Sequence, residues 1–185
     1  SLQHLAGTDE LGRDIFSRIL YGGRVSLTIG IISVGIGLLC GGSLGVLAAY
    51  YGGLAETAIM RIIDILMAIP SIILSISICA ALGSGIVNTM IAVGISSIPT
   101  YARVFRSAVI SEKSKEYIEA SKAVGAGNAR IILRHILPNS LAPVIVQASL
   151  GVAQAITTAA SLSFIGLGIQ PPNPEWGALL SGGRQ

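Results

Sequence analysis

Residues 119–125 read Glu119-Ala120-Ser121-Lys122-Ala123-Val124-Gly125, and after nine intervening residues come His135-Ile136-Leu137-Pro138. This basic, glycine-broken stretch lies between hydrophobic spans. Seven of the twelve Lys and Arg fall in or beside it: Arg103, Arg106, Lys113, Lys115, Lys122, Arg130 and Arg134. Membrane proteins keep such basic loops on the cytoplasmic side. The loop 103–138 is therefore expected inside the cell, and its regular patterning suits contact with a partner.

Two short helices are expected in the loop, at about Glu112–Val124 and Asn128–Ile136, with Asn128 as N-cap of the second. Gly125-Ala126-Gly127 gives the backbone freedom for a sharp turn between them. Tyr117, Ala120, Ser121 and Val124 share one face of the first helix. Ala129, Ile132 and Ile136 share one face of the second. Pro138 and Pro143 punctuate entry to the last span. Such a helix pair suits docking into a groove of a soluble partner. It equally suits lying on anionic lipid, and the residues alone leave both readings open.

Composition restricts the class. Hydrophobic residues make up 52% and charged residues 11%, with mean hydropathy +0.76. A soluble domain carries roughly 25% charged residues. No basic run interleaved with aromatics points to nucleic acid. Cys40 and Cys79 both fall in apolar runs and read as packing residues.

Working outward from the loop, the uncharged runs define the spans. Val25 to about Tyr51 exceeds the roughly 20 residues a crossing helix needs. It carries Gly37, Gly41 and Gly45 on one face, where another helix could approach closely. Ile65 to Ala102 suits two crossings, at about Ile62–Leu82 and Ile86–Ala102, broken at Gly83-Ser84-Gly85. Pro70 and Pro99 fall inside these helices, either as kinks or in a rigid setting. The last span is expected at Leu141–Ile165. Gln147, Gln154, Thr158 and Ser161 fall on one of its faces, and Thr89, Ser96, Thr100 and Arg103 form a similar stripe before it. Polar residues in lipid are costly, so both stripes either line a pathway or bond between helices. Near the inner surface, Arg61 and Asp64 are spaced to pair along one helix face.

With 103–138 inside, residues 52–61 are also inside, while Gly83–Gly85 and both ends of the chain lie outside. Residues 1–24 form an outer segment, with Arg13, Arg18 and Arg24 balancing Asp9, Glu10 and Asp14. Residues 25–185 form the membrane domain. A chain that starts with Ser, without a cleavable signal pattern, is expected to be a piece of a longer protein.

The spacing Glu119-Ala120-Ser121, Gly125, His135-Ile136-Leu137-Pro138 resembles the EAA loop of ABC importer permeases. Ser121 stands where the pattern has a second Ala, and His135 where Ile is frequent. GTDELGRDIFSR at 7–18, MRIID at 60–64 with IPS at 69–71, FIGLG at 164–168 and PPNPEWG at 171–177 resemble segments of the dipeptide, oligopeptide and nickel branch. Their order and spacing cover essentially the whole chain and are similar to the DppC-like subunit type. The resemblance implies an all-α integral membrane protein of the MetI-like fold. About four membrane helices are expected, the second to fifth of a usual six, plus a cytoplasmic coupling helix pair.

The resemblance also implies a mechanism and partners. The subunit would form half of a membrane pathway for peptides or nickel with a second homologous permease. Two cytoplasmic ABC ATPase subunits would power it, and an extracytoplasmic substrate-binding protein would supply it. The setting would be a bacterial or archaeal inner membrane, spanned several times. Glu119, Ala120, Ser121, Gly125, Asn128, Ile132, His135, Leu137 and Pro138 would form the ATPase-coupling site, with Glu119 pairing a basic partner residue and Gly125 making the turn. The stripes containing Arg103 and Gln147 would line the pathway, and the loop 171–176 would face the binding protein, unless Trp176 anchors at the membrane interface instead. No cofactor or metal is expected in this subunit. The chain has no GxxxxGK[ST] loop, so ATP would be bound by the partner ATPases. A passive channel or an intramembrane hydrolase is the alternative. No GxSxG elbow supports the hydrolase, and His4 and His135 fall on opposite sides of the expected topology, against a metal enzyme.

Overall fold

The computed structural model describes residues 4, 6–9, 11–170 and 172–183. Glu10 of the 7–18 motif and Pro171 of the 171–177 motif lie outside them. The described residues are helical apart from turns and one bridge between Thr8 and Asp14. The helices are α1 (Ile15–Tyr51), α2 (Gly53–Met67), α3 (Ser71–Leu82), α4 (Ile86–Lys113) and α5 (Glu116–Ala123). Then come α6 (Asn128–Ile131), a π-helical turn (Ile132–Ile136), α7 (Leu137–Asn139), α8 (Leu141–Phe164) and α9 (Trp176–Gly182).

The helix ends depart from expectation for local reasons. α1 starts at Ile15, well before the uncharged run, because Asp14 caps it. The Asp14 carboxylate accepts the Ser17 N–H at 2.8 Å and the Ser17 hydroxyl at 2.6 Å, satisfying donors that a helix N-terminus leaves free. The expected helix Ile62–Leu82 is instead two helices parted at Ala68–Pro70. Pro70 has no N–H and disfavours helical geometry in the residue before it. The Ala68 N–H closes α2 on Asp64 and Ile65 carbonyls. Pro99, by contrast, sits within an unbroken α4, which continues past Ala102 into the basic loop.

Two described helices, α1 and α8, are long and apolar enough to cross a membrane, and α2 with α3 add a third if their two arms count as one span. α4 is long enough as well, but Asn88, Thr89, Ser96, Ser97 and Thr100 dilute its apolar character. By this measure the expectation of about four membrane helices finds two, or three with the broken pair.

The chain divides into two compact units, one of residues 1–34, 71–95 and 151–185, the other of residues 35–70 and 96–150. In the first, Ser33 donates to the Met90 carbonyl at 3.1 Å. Glu175 is fully buried and caps α9 by accepting the Ala178 N–H at 3.0 Å. Trp176 lies over Gly22 and Gly23, with its indole N–H donating to the Ile19 carbonyl at 3.0 Å. The loop that was expected to face a binding protein is thus fastened to the first turns of α1.

The second unit is built on a close helix seam. A Cβ at Gly37 would overlap Ser97 and Tyr101, one at Gly41 would overlap the Ile98 carbonyl, and one at Gly45 the Ala102 carbonyl. A Cβ at Gly42 would stand 2.7 Å from the Phe105 ring. The glycine face read from the sequence is therefore the packing surface of α1 on α4, where absent side chains bring two backbones together. Below the seam, Val46, Ala49, Tyr50, Phe105, Val109, Ile118, Ile131, Ile136 and Val144 form a buried apolar cluster.

At the bend between α4 and α5, Glu112 is 5% exposed. Its carboxylate accepts from Lys115 Nζ at 2.7 Å and from the Tyr117 hydroxyl. Asn139 Nδ2 donates to that hydroxyl at 3.2 Å and to the His135 carbonyl at 2.6 Å. The bonds from Lys115 and Tyr117 outweigh desolvation and hold the Glu112 carboxyl below its ordinary 4.5.

Two outcomes follow. Leucine at Gly41 or Gly45 is expected to cost about 1–3 kcal/mol or more through overpacking, whereas Gly35→Ala, with open space beside it, is expected to be silent; melting of the purified full-length protein in detergent separates them. Because the folded pKa of Glu112 is lowered, its contribution is present above the ordinary carboxyl value and lost as pH falls through the folded one. Melting curves across the acid range should show a destabilising step in the wild type that is smaller in Glu112→Gln.

Candidate functional site

The basic loop folds as a turn with a buried back and an open front. Ile118, Ile131 and Ile136 are fully buried and anchor it. Of the faces read from helical periodicity, 117/120/121/124 is not the buried one, whereas 129/132/136 is buried at Ile136 and half-buried at Ile132. Ala120 is exposed, Val124 is 84% exposed, and Tyr117 is partly exposed with its hydroxyl turned to Glu112. Ile131 and Ile136 are five apart and would diverge on an α-helix. The π-helical turn between them bonds residues five apart and so brings both to one side.

The turn itself closes on Gly125. Its φ is +80°, a left-handed conformation that costs glycine little. The Gly125 N–H donates to the Lys122 carbonyl at 2.9 Å and the Ala126 N–H to the Ser121 carbonyl at 3.1 Å. This pair of bonds is the Schellman arrangement, which satisfies the last carbonyls of a helix. A Cβ at Gly125 would meet nothing within 4 Å, so backbone conformation alone selects glycine there.

Glu119 stands exposed on α5 and makes no ion pair or hydrogen bond with a described residue. Of the two cations spaced to neutralise it, Lys115 is bound to Glu112, and Lys122 makes no ion pair with a described residue. Ala120 is exposed, and Ser121 is half-buried with its hydroxyl donating to the Tyr117 carbonyl at 2.8 Å. Ile132 and Leu137 are half-buried against the apolar cluster. His135 is half-buried with its ring 6.3 Å from that of Tyr117. Pro138 lies in α7, directly after the π-helical turn. Asn128 is not the N-cap. Gly127 holds that position without a side-chain bond, and Asn128 is the first helical residue, its Oδ1 accepting the Tyr50 hydroxyl at 2.8 Å. Arg130, Leu133 and Arg134 complete the exposed rim.

The two polar stripes fall into different settings. In the first unit Thr89 is fully buried and donates to the Gly85 carbonyl at 2.8 Å. Gln154 is exposed, while half-buried Thr158 and Ser161 donate to the Gln154 and Thr157 carbonyls at 2.9 Å. These hydroxyls are satisfied within their own helices. In the second unit Ser96 and Gln147 are half-buried and Thr100 is exposed. Arg103 is exposed and donates to Asp64 at 2.6 Å. Asp64 therefore pairs with Arg103 of α4 instead of Arg61 on its own helix. Both ends of that pair are about half exposed, so it contributes little.

Sequence reasoning missed Glu112, Lys113, Tyr117, Asn139 and Tyr50 as supports of the turn. Lys113 Nζ donates to the Tyr50 carbonyl at 2.6 Å and the Ala49 carbonyl at 3.2 Å, closing the end of α1. Nothing in a single sequence marks a bond across 63 residues.

Residues 41–183 match the family described as binding-protein-dependent transport system inner membrane component. A dipeptide transport system permease protein of Alkalihalophilus pseudofirmus is 52% identical over 185 residues, all of this chain and 61% of its own length. A glutathione transport system permease protein of Pectobacterium atrosepticum is 50% identical over 184 residues, again 61% of its length. A di/tripeptide transport system permease protein of Pseudomonas aeruginosa is 49% identical over 180 residues, 97% of this chain and 59% of its own. The chain thus spans about three-fifths of these relatives. Among solved structures, an inward-facing MetNI methionine ABC transporter shares the fold with TM-score 0.70 at 22% identity, over 80% of this chain and 74% of that one. An amino acid ABC transporter does so with TM-score 0.64 at 15% identity, over 89% and 76%. The fold is the all-α MetI-like one that the EAA-like loop implied, and the chain belongs to the binding-protein-dependent transport system inner membrane component family.

Proposed function

We propose that this chain is the greater part of a permease subunit of an ATP-driven importer of short peptides. It forms half of a membrane pathway with a second homologous permease. The three relatives named above are permeases for dipeptides, di/tripeptides and glutathione. All of these substrates are short peptides, which favours peptide over nickel as cargo. The subunit is not itself catalytic. ATP is bound by two partner ATPase subunits on the cytoplasmic side, and a binding protein delivers substrate from the other. The setting is a bacterial inner membrane crossed several times.

One observation carries the reading: the 119–138 turn presents an unpaired carboxylate, Glu119, beside a glycine-determined bend, over a buried apolar back. A rigid, half-polar protrusion of this kind fits a groove on a soluble partner. An exposed charge keeps its full capacity to form a charge-assisted bond across an interface. Arg103 and the exposed or half-buried members of the polar stripes are the pathway residues of this reading.

The test uses the full-length subunit assembled with its partner permease, ATPases and binding protein. Glu119→Ala is expected to lower binding-protein-stimulated ATP hydrolysis roughly tenfold, the scale of one lost hydrogen bond to a charged group. Gly125→Val is expected to lower it at least as far, since a β-branched residue strains at positive φ. Full stimulation in both variants would refute the coupling role.

A further inference from the structure

We infer that Tyr50, in the last turn of α1, is a positioning residue for the docking turn, acting through its hydrogen bond to Asn128 so that α1 and the turn move as one piece. This rests on the coupling reading above and adds a residue and a route to it.

The argument begins with the end of α1. The last carbonyls of a helix have no donor within it. Here Ala49 and Tyr50 receive Lys113 Nζ, at 3.2 and 2.6 Å. A cation at that end also suits the helix dipole. The same ammonium stands 5.7 Å from the centre of the Tyr50 ring, and Tyr51 meets that ring edge-on at 5.3 Å. Tyr50 is only 6% exposed and lies in one apolar cluster with Ile118 and Ile131. Its ring is therefore fixed before its hydroxyl is considered.

The hydroxyl then does something the ring cannot. It reaches Asn128 Oδ1 at 2.8 Å, across 78 residues. Asn128 opens α6, three positions after the left-handed Gly125. Apolar contacts resist separation but are not directional, so the cluster alone leaves the turn free to slide over α1. A directional bond at the first residue of α6 fixes its register. A displacement imposed on the turn is then passed to α1.

Packing and positioning make different forecasts for Tyr50→Phe, which keeps the ring and removes only the oxygen. The experiment assembles the full-length subunit with both ATPases, partner permease and binding protein in nanodiscs. It compares basal ATP hydrolysis, binding-protein-stimulated hydrolysis and subunit co-purification. Tyr50→Phe and Asn128→Ala are each expected to lower the stimulated rate about threefold to tenfold, the range of one net hydrogen bond. Basal rate and assembly should be unchanged in Tyr50→Phe, whose ring stays buried behind the turn. The double variant should be no worse than either single one, and Asn128→Asp, which keeps an accepting oxygen, should retain stimulation. Stimulation intact in Tyr50→Phe but lost in Glu119→Ala would overturn this inference and leave the coupling reading standing. Stimulation intact in all of these variants would overturn both. Parallel loss of basal rate and assembly in Tyr50→Phe, or additive losses in the double variant, would also overturn it, since those mark a structural role.

Discussion

The seam between α1 and α4 depends on atoms that are missing. At Gly37, Gly41 and Gly45 the partner backbone, or a side chain held close to it, occupies the space a Cβ would need. Inside lipid there is little hydrophobic drive to pair helices, so close packing has to supply the attraction. Everything else in that unit is placed by it. The approach at Gly45 puts Phe105 beside α1, and about two turns of helix further on Lys113 meets the carbonyls of Ala49 and Tyr50. The elbow at Glu112 and the docking turn after it stand where that contact leaves them.

Behind the docking turn, polarity and apolarity divide the work. Ile118, Ile131 and Ile136 remove apolar area from water and give the turn its adhesion. The Tyr117, Glu112 and Asn139 bonds, with the Tyr50 bond to Asn128, give it direction. Leaving the buried Glu112 carboxylate unpaired would cost more than the bond returns, and its partner Tyr117 is bonded in turn by Asn139. The π-helical turn belongs to the same arrangement. It is the local distortion that lets two isoleucines five residues apart reach the same cluster.

How much of this was legible follows the range of the interactions. The glycine face at 37, 41 and 45 is a local periodicity, and its close-packing role was readable. Gly125 was readable too, since positive φ is a property of one residue. The split at Pro70 was not, because proline both kinks and ends helices, and Pro99 does neither visibly in the same chain. That Ile131 and Ile136 share the buried side of the docking turn was not readable, because α-helical spacing separates them and only the π-helical turn brings them together. The partners of Asn128 and Asp64 were misassigned for a common reason. Capping and i, i+3 pairing are the nearest options in sequence, whereas the structure offered Tyr50 and Arg103 from distant segments.

The charges around the turn are sorted by that geometry. Glu112 lies in the buried elbow, where an unpaired carboxylate would be costly, and it takes both Lys115 and the Tyr117 hydroxyl. Glu119 lies on the exposed side of the next helix and takes nothing from the described residues. Water solvates it there at no cost to the fold. Had Lys115 turned toward Glu119 instead, the elbow would have lost its strongest bond to gain a surface pair of marginal value. The fold therefore favours the arrangement that leaves Glu119 available. An acidic residue at the tip of a basic loop is then a consequence of stabilising the bend behind it, and a partner bearing a cation meets a carboxylate with no internal bond to break.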